Sequence, residues 1–117
     1  MQYMLLIYAQ EGGWDDIPAD AQEAELAKWW AYSEEMSKAG VMVAGDALQP
    51  TATATSLQQR DGQVLVTDGP FAETKEALGG YYLLNVESLD DAIHWAKKCP
   101  AVGYGTVELR PVMVFER

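Results

Sequence analysis

Two segments with helical periodicity, each enclosed by short strand-like runs, constrain this chain more than any other feature of it. The first spans Ala19 to Ala39. Leu26, Trp29, Trp30 and Met36 fall in one apolar sector, with Lys28, Glu34, Glu35 and Lys38 opposite. Glu34 and Lys38 stand one turn apart and are suited to pair, and Gly40 is a natural stop. Its start has two readings: Asp20 with Glu23 as a capping-box-like pair, or Pro18 in the first turn. The second helix begins after Ser88, a capping residue with Asp91 three positions on. Leu89, Ala92, Ile93 and Ala96 then follow at i, i+3, i+4, i+7. Lys97 and Lys98 sit where the helix dipole favours cations, and Pro100 ends the element.

The flanking runs read as strands. Tyr3 to Tyr8, bounded by Gly12-Gly13, is apolar throughout and predicts a strand buried on both faces. Val41 to Leu48 is a second strand, with a bulge or bend expected at Gly45-Asp46. Thr53 to Arg60 joins Gln63 to Thr67 through Asp61-Gly62, a dipeptide whose positive φ angles suit a tight hairpin. Gly79-Gly80 opens Tyr81 to Val86, and Val107 to Phe115 closes the chain. Pro111 within that last run cannot donate to a ladder, which makes the strand an edge or bulged there. The order is β-α-β, an inserted hairpin, then β-α-β. It predicts an α+β, ferredoxin-like βαββαβ domain with both helices on one face of an antiparallel sheet. The other face carries too many aliphatic and aromatic residues for water, and a second copy covering it predicts a homodimer.

At 117 residues the chain is expected to form one domain, residues 1–117, large enough for a core without disulfides or metals. Eighteen acidic against eight basic residues give a net charge of −10. Nucleic acid and anionic membrane surfaces are thereby poor partners, because both need clustered Lys/Arg. Cys99 is the single cysteine, so no intrachain disulfide is expected, and its neighbouring lysines leave a choice between a lowered pKa and a buried inert thiol. Met1 to Ala9 is too short, and too soon followed by Glu11, Asp15 and Asp16, for a signal peptide; a cytoplasmic protein is the expectation. One His (His94, off the apolar stripe and expected at the surface) and one Cys give no metal-ligand spacing. Gly79-Gly80 enters a strand rather than a helix, so no phosphate-binding fingerprint and no cofactor is expected.

Chemistry concentrates in Asp68-Gly69-Pro70-Phe71-Ala72-Glu73-Thr74-Lys75-Glu76. Gly69-Pro70 after Asp68 reads as a β-turn. Glu73, Lys75 and Glu76 serve no evident turn geometry, and two readings fit them. A lysine flanked by carboxylates suits a small anion or a carbonyl, with Asp68 as an acid/base candidate and Phe71 as an apolar wall. A solvated charged loop or a salt-bridge network between subunits fits equally. Asp46, in the small-residue strand Ala44-Gly45-Asp46-Ala47, is either the general base of a pocket or a solvent-facing residue at a bulge. Trp29, Trp30, Tyr81, Tyr82 and Phe71 read as core before pocket wall.

These residues resemble the YCII-related superfamily and, within it, the DGPF-domain branch, nearly end to end. The likeness rests on Tyr3-Met4-Leu5-Leu6-Ile7-Tyr8, on Ala39-Gly40-Val41 leading to Ala44-Gly45-Asp46-Ala47-Leu48-Gln49-Pro50, and on Ala52-Thr53-Ala54-Thr55. Its strongest part is Val66-Thr67-Asp68-Gly69-Pro70-Phe71-Ala72-Glu73-Thr74-Lys75-Glu76 with Leu78-Gly79-Gly80. Tyr104-Gly105 and Val107-Glu108-Leu109-Arg110-Pro111 complete it. The resemblance implies a dimeric α+β barrel of ferredoxin-like halves. It also implies genetic proximity to extracytoplasmic-function sigma factors, hence an interaction partner linked to a stress response as the alternative to small-molecule binding. The His–Asp dyad proposed for other YCII-type proteins does not carry over. Trp29 and Trp30 occupy the histidine's neighbourhood here, and the Asp-Pro step reads Cys99-Pro100.

Overall fold

The computed structural model describes residues 1–116. The first half runs β1 (Gln2–Ala9), a 3-10 turn (Trp14–Asp16), α1 (Ala19–Lys38), β2 (Met42–Ala47) and a second 3-10 turn (Thr51–Thr53). The hairpin β3 (Thr55–Arg60) and β4 (Gln63–Asp68) follows. The second half is β5 (Ala77–Asn85), α2 (Leu89–Lys97), a third 3-10 turn (Pro100–Gly103) and β6 (Thr106–Pro111). Four strands form one antiparallel sheet in the order β2-β5-β1-β6, while β3 and β4 pair only with each other. The architecture is α+β and compatible with a ferredoxin-like arrangement. No helix among the described residues is long and apolar enough to cross a membrane.

The core lies between the helices and one face of the sheet. Tyr3 and Leu5 of β1 and Leu84 of β5 meet Tyr32 and Met36 of α1 and Ala92 of α2. Leu5, Met36 and Leu84 are fully buried, each worth about 1.5–3 kcal/mol of transfer free energy. β1 is therefore not buried on both faces, as its unbroken apolar run predicted. Met4 and Leu6, which alternate with Tyr3 and Leu5, remain half-buried on the side away from the helices.

Local signals decide most element ends. Asp61 (φ 51°) and Gly62 (φ 79°) make the positive-φ turn between β3 and β4. The Ser88 side chain accepts the Asp91 N–H at 3.2 Å and caps α2. Lys38 and Glu34 pair at 3.0 Å on the exposed face of α1. Neither start proposed for α1 occurs: Pro18 itself is the cap residue, its carbonyl accepts the Gln22 N–H, and Asp20 bonds only the adjacent Ala21 N–H.

Three strand readings need correction. The irregularity of β2 falls at Val43, between Met42 and Ala44, whereas Gly45 and Asp46 pair regularly with Tyr82 and Tyr81. Gly45 is small for another reason, since a Cβ there would lie 2.6 Å from the Tyr82 ring. Gly79 and Gly80 lie inside β5 rather than opening it, with Gly79 skipped in the pairing to β1 and Gly80 pressed against the Asp46 carbonyl. β6 ends at Pro111; it is the edge strand that the proline required, but it does not continue to Phe115.

Candidate functional site

Glu25, Trp29, Tyr32 and Met36 fall at i, i+4, i+7 and i+11 of α1, a narrow stripe that faces the sheet. Tyr32 and Met36 fill the core. Toward the N-terminal end of the helix Trp29 and Glu25 are only half-buried. The space beneath them is a cleft of about 750 Å³, bounded by α1, the end of β2, the start of β5 and the loop after β1. That volume lies within the ordinary range for small-molecule sites.

Each wall has a local cause. The loop after β1 turns through Gly12 (φ 95°) and Gly13 (φ 82°), a left-handed pair that L-residues resist, and so brings Trp14 to the cleft. The loop is tied down on two sides. Gln22 Nε2 donates to the Trp14 carbonyl at 2.7 Å, and the Glu11 carboxylate accepts the Thr51 N–H at 2.8 Å together with the Thr51 hydroxyl. Those two bonds hold the Glu11 carboxyl below the usual carboxylate range. Tyr82 crosses the floor over Gly45, stands edge-on to Tyr32 at 5.5 Å, and shares a 2.7 Å hydrogen bond with Ser33. Burial pushes its hydroxyl pKa up. Trp29 stands edge-on to Tyr32 at 6.4 Å. Tyr104, just past the third 3-10 turn, closes the side nearest α1; partial desolvation, the Glu25 charge and a loose side-chain contact with Glu25 raise its hydroxyl.

Glu25 stands out among these groups. One carboxylate oxygen lies 3.3 Å from Lys28 Nζ, while the other, Oε1, is buried with no hydrogen-bond partner among the described residues. Leaving such an oxygen dry and unpaired costs free energy in the free protein.

Of the residues singled out from sequence, the structure brings only some to this cleft. Trp29, Trp30 and Tyr82 line it, with Trp30 70% exposed and thus mouth rather than core. Leu26 is likewise exposed at 44%, so the buried face of α1 is narrower than the apolar sector suggested. Asp46 is exposed and accepts the Tyr81 hydroxyl at 2.7 Å, which raises the Tyr81 pKa. Register places Tyr81, Leu6 and Glu108 on the sheet face away from the helices. There Tyr8 and Arg110 both donate to Glu108, at 3.1 and 2.7 Å, and hold its carboxyl low.

The segment 69–76 is a separate surface. Asp68 ends β4 opposite Thr55, and Gly69 is pinned by the Ala54 carbonyl and by Ser56. Phe71 is 82% exposed, and Glu73 and Lys75 are exposed without an ion pair among the described residues. Glu76 is half-buried and accepts the Thr106 hydroxyl at 2.6 Å. None of Asp68, Phe71, Glu73, Lys75 and Glu76 lines the cleft. His94 is exposed beside Trp95 and Cys99 is buried, its thiol pushed up by desolvation. The described residues contain no group of acidic, His and Cys side chains placed to hold a metal ion.

Sequence reading missed Glu25, Trp14 and Tyr104. For Glu25 a signal was present: an acid standing in line with Trp29, Tyr32 and Met36 is an anomaly on an apolar stripe. Trp14 offered a weaker one, a large aromatic in a Gly-Gly-Asp-Asp loop.

An uncharacterized protein of Rhizobium meliloti (strain 1021) is 32% identical over 118 aligned positions, covering 99% of this chain and 95% of the relative. The family model of the YCII-related domain matches residues 1–116. With the domain matched along nearly its whole length, this chain belongs to the YCII-related family.

Proposed function

We propose that this protein is a cytoplasmic, homodimeric small-molecule-binding protein of the DGPF type, and that its ligand enters the cleft between α1 and the sheet. One observation carries the reading: a roughly 750 Å³ cleft, aromatic on several sides, into which a helix projects a carboxylate whose inner oxygen has no partner.

The dimer rests on unpartnered apolar surface. Leu57, Val64 and Val66 project from one face of the β3–β4 hairpin, each more than 60% exposed, and Met113, Val114 and Phe115 exceed 70%. The chain is a slab of 50 × 48 × 19 Å with a radius of gyration of 16.7 Å, against about 13 Å for a compact chain of this length. A second copy stacked on the open sheet face and gripped by the hairpins would bury these groups and form the dimeric barrel.

The loop bearing Asp68, Phe71, Glu73, Lys75 and Glu76 is a surface apart from this cleft, and in this reading Lys75→Ala leaves cleft binding unchanged. Asp68 lies outside this cleft and the Asp46 carboxylate is bonded to Tyr81 on the other sheet face, so neither acts as acid or base on a ligand held there. A sigma-factor-linked partner has only the net charge of −10 in its favour.

The test is native mass spectrometry of freshly purified protein, followed by a metabolite screen read by tryptophan fluorescence. The expected result is a dimer that takes up a small molecule, with binding lost in Trp30→Ala and the melting temperature little changed. Trp30 is largely exposed, so its truncation spares the core. A metabolite that binds Trp30→Ala as tightly as wild type would move the site away from the cleft, and a monomer would sink the assembly.

A further inference from the structure

We propose that the ligand group seated against Glu25 is a compact organic cation, an amine or quaternary ammonium. This deepens the cleft reading and rests on it. The lining contains Glu11, Glu25 and Asp46 but no Lys, Arg or His. Glu11 is committed to Thr51 and Asp46 to Tyr81, which leaves Glu25 with the free acceptor.

An anionic ligand would meet the Glu11 and Glu25 carboxylates and no cation inside the cleft. A neutral apolar ligand would displace water and still leave Glu25 Oε1 without a partner, retaining the cost already present in the free protein. A cation answers both conditions at once. It neutralises the carboxylate that bears the buried oxygen, and it lies against the indole and phenol faces of Trp14, Trp29, Trp30 and Tyr104, whose negative π-surfaces attract it. Lys28, on the other Glu25 oxygen, does not compete, since its side chain is 67% exposed and it is absent from the lining. The net charge of −10 adds a long-range field of the same sign.

Three probes of one shape separate charge from fit: choline, its uncharged isostere 3,3-dimethylbutan-1-ol, and the anion 3,3-dimethylbutanoate. Each is titrated into the full chain, with tryptophan fluorescence and calorimetry as readouts. Choline should bind about ten-fold or more tighter than the alcohol, and the anion least. Glu25→Gln, which keeps the shape and removes the charge, should erase that preference, bringing choline down to the affinity of the alcohol. Should Glu25→Gln fold poorly, Trp30→Ala at the exposed mouth serves instead, and choline affinity should fall there.

Equal binding of choline and the alcohol, or tightest binding of the anion, would overturn the cation assignment while leaving a ligand-binding cleft. The same holds if the metabolite screen yields only neutral or anionic ligands that require Trp30. Silence from all three probes would overturn the assignment, and silence from the screen as well would remove the cleft reading with it.

Discussion

Tyr32→Phe isolates the one side-chain hydrogen bond that ties α1 to the backbone of α2. The Tyr32 ring is 4% exposed and stands edge-on to Trp29 and Tyr82, while its hydroxyl donates to the Trp95 carbonyl at 2.8 Å. Phenylalanine keeps the ring and both edge contacts and removes only the donor. A hydrogen bond of this kind contributes about 0.5–1.5 kcal/mol net, and an acceptor left dry and unpaired would add to that. Here it would not, because the Trp95 carbonyl also accepts the Lys98 N–H at 3.1 Å. The expected loss is therefore about 1 kcal/mol, set by the bond alone. With an unfolding entropy of ~2.1 cal/mol/K per residue, a chain of 117 residues loses about 4 °C in melting temperature for that amount. Tyr32→Ala also empties the ring's site and should cost about 3–5 kcal/mol. Urea and thermal melts at one fixed protein concentration compare the three proteins, since the apparent stability of the proposed dimer depends on concentration. The reasoning is refuted if the Phe variant loses as much as the Ala variant, or if it is as stable as wild type.

Other outcomes follow from contacts already described. Gly105→Ala places a Cβ 2.2 Å from the Tyr8 carbonyl oxygen and close to Ala9, all on β1, so the β1–β6 pairing must shift at a cost of about 1–3 kcal/mol or more. Gly79→Ala meets nothing within 4 Å and should stay within about 1 kcal/mol of wild type in the same thermal melts. Burial raises the pKa of Cys99, Tyr32 and Tyr82. Groups raised in the folded state stabilise fully below their unfolded pKa values and lose that contribution as pH climbs. Urea melts at rising pH should therefore show stability declining above about pH 8.5, where an unfolded thiol begins to ionise, and further near pH 10 as unfolded tyrosines do. Cys99 itself should react with a disulfide reagent only at the unfolding rate, and immediate reaction of native protein would contradict its burial. Leu57→Asp with Val66→Lys, both on the exposed hairpin face, should yield a folded monomer by light scattering, and an intact dimer would exclude the hairpin from the interface.

What was legible in the sequence is what a few adjacent residues decide among themselves. Asp61-Gly62 dictates its turn because positive φ is affordable there, Ser88 caps α2 because its oxygen reaches the Asp91 N–H, and Pro111 keeps β6 at the edge because it has no N–H to give. The alternation of two helices with strands was legible for the same reason. The open face of β1 was not, since Met4 and Leu6 are as apolar as Tyr3 and Leu5, and only the position of the helices distinguishes them. The charged segment from Asp68 to Glu76 drew attention through its composition, yet composition does not say which surface a loop meets. The cleft draws on Trp14, Glu25, Trp29, Tyr82 and Tyr104, from four separate places along the chain. A cleft exists where packing leaves space unfilled, and that depends on how far the N-terminal end of α1 stands off the sheet. Dihedral preferences and capping bonds act over a turn or two, whereas that separation is decided by the side chains of distant elements packing against one another.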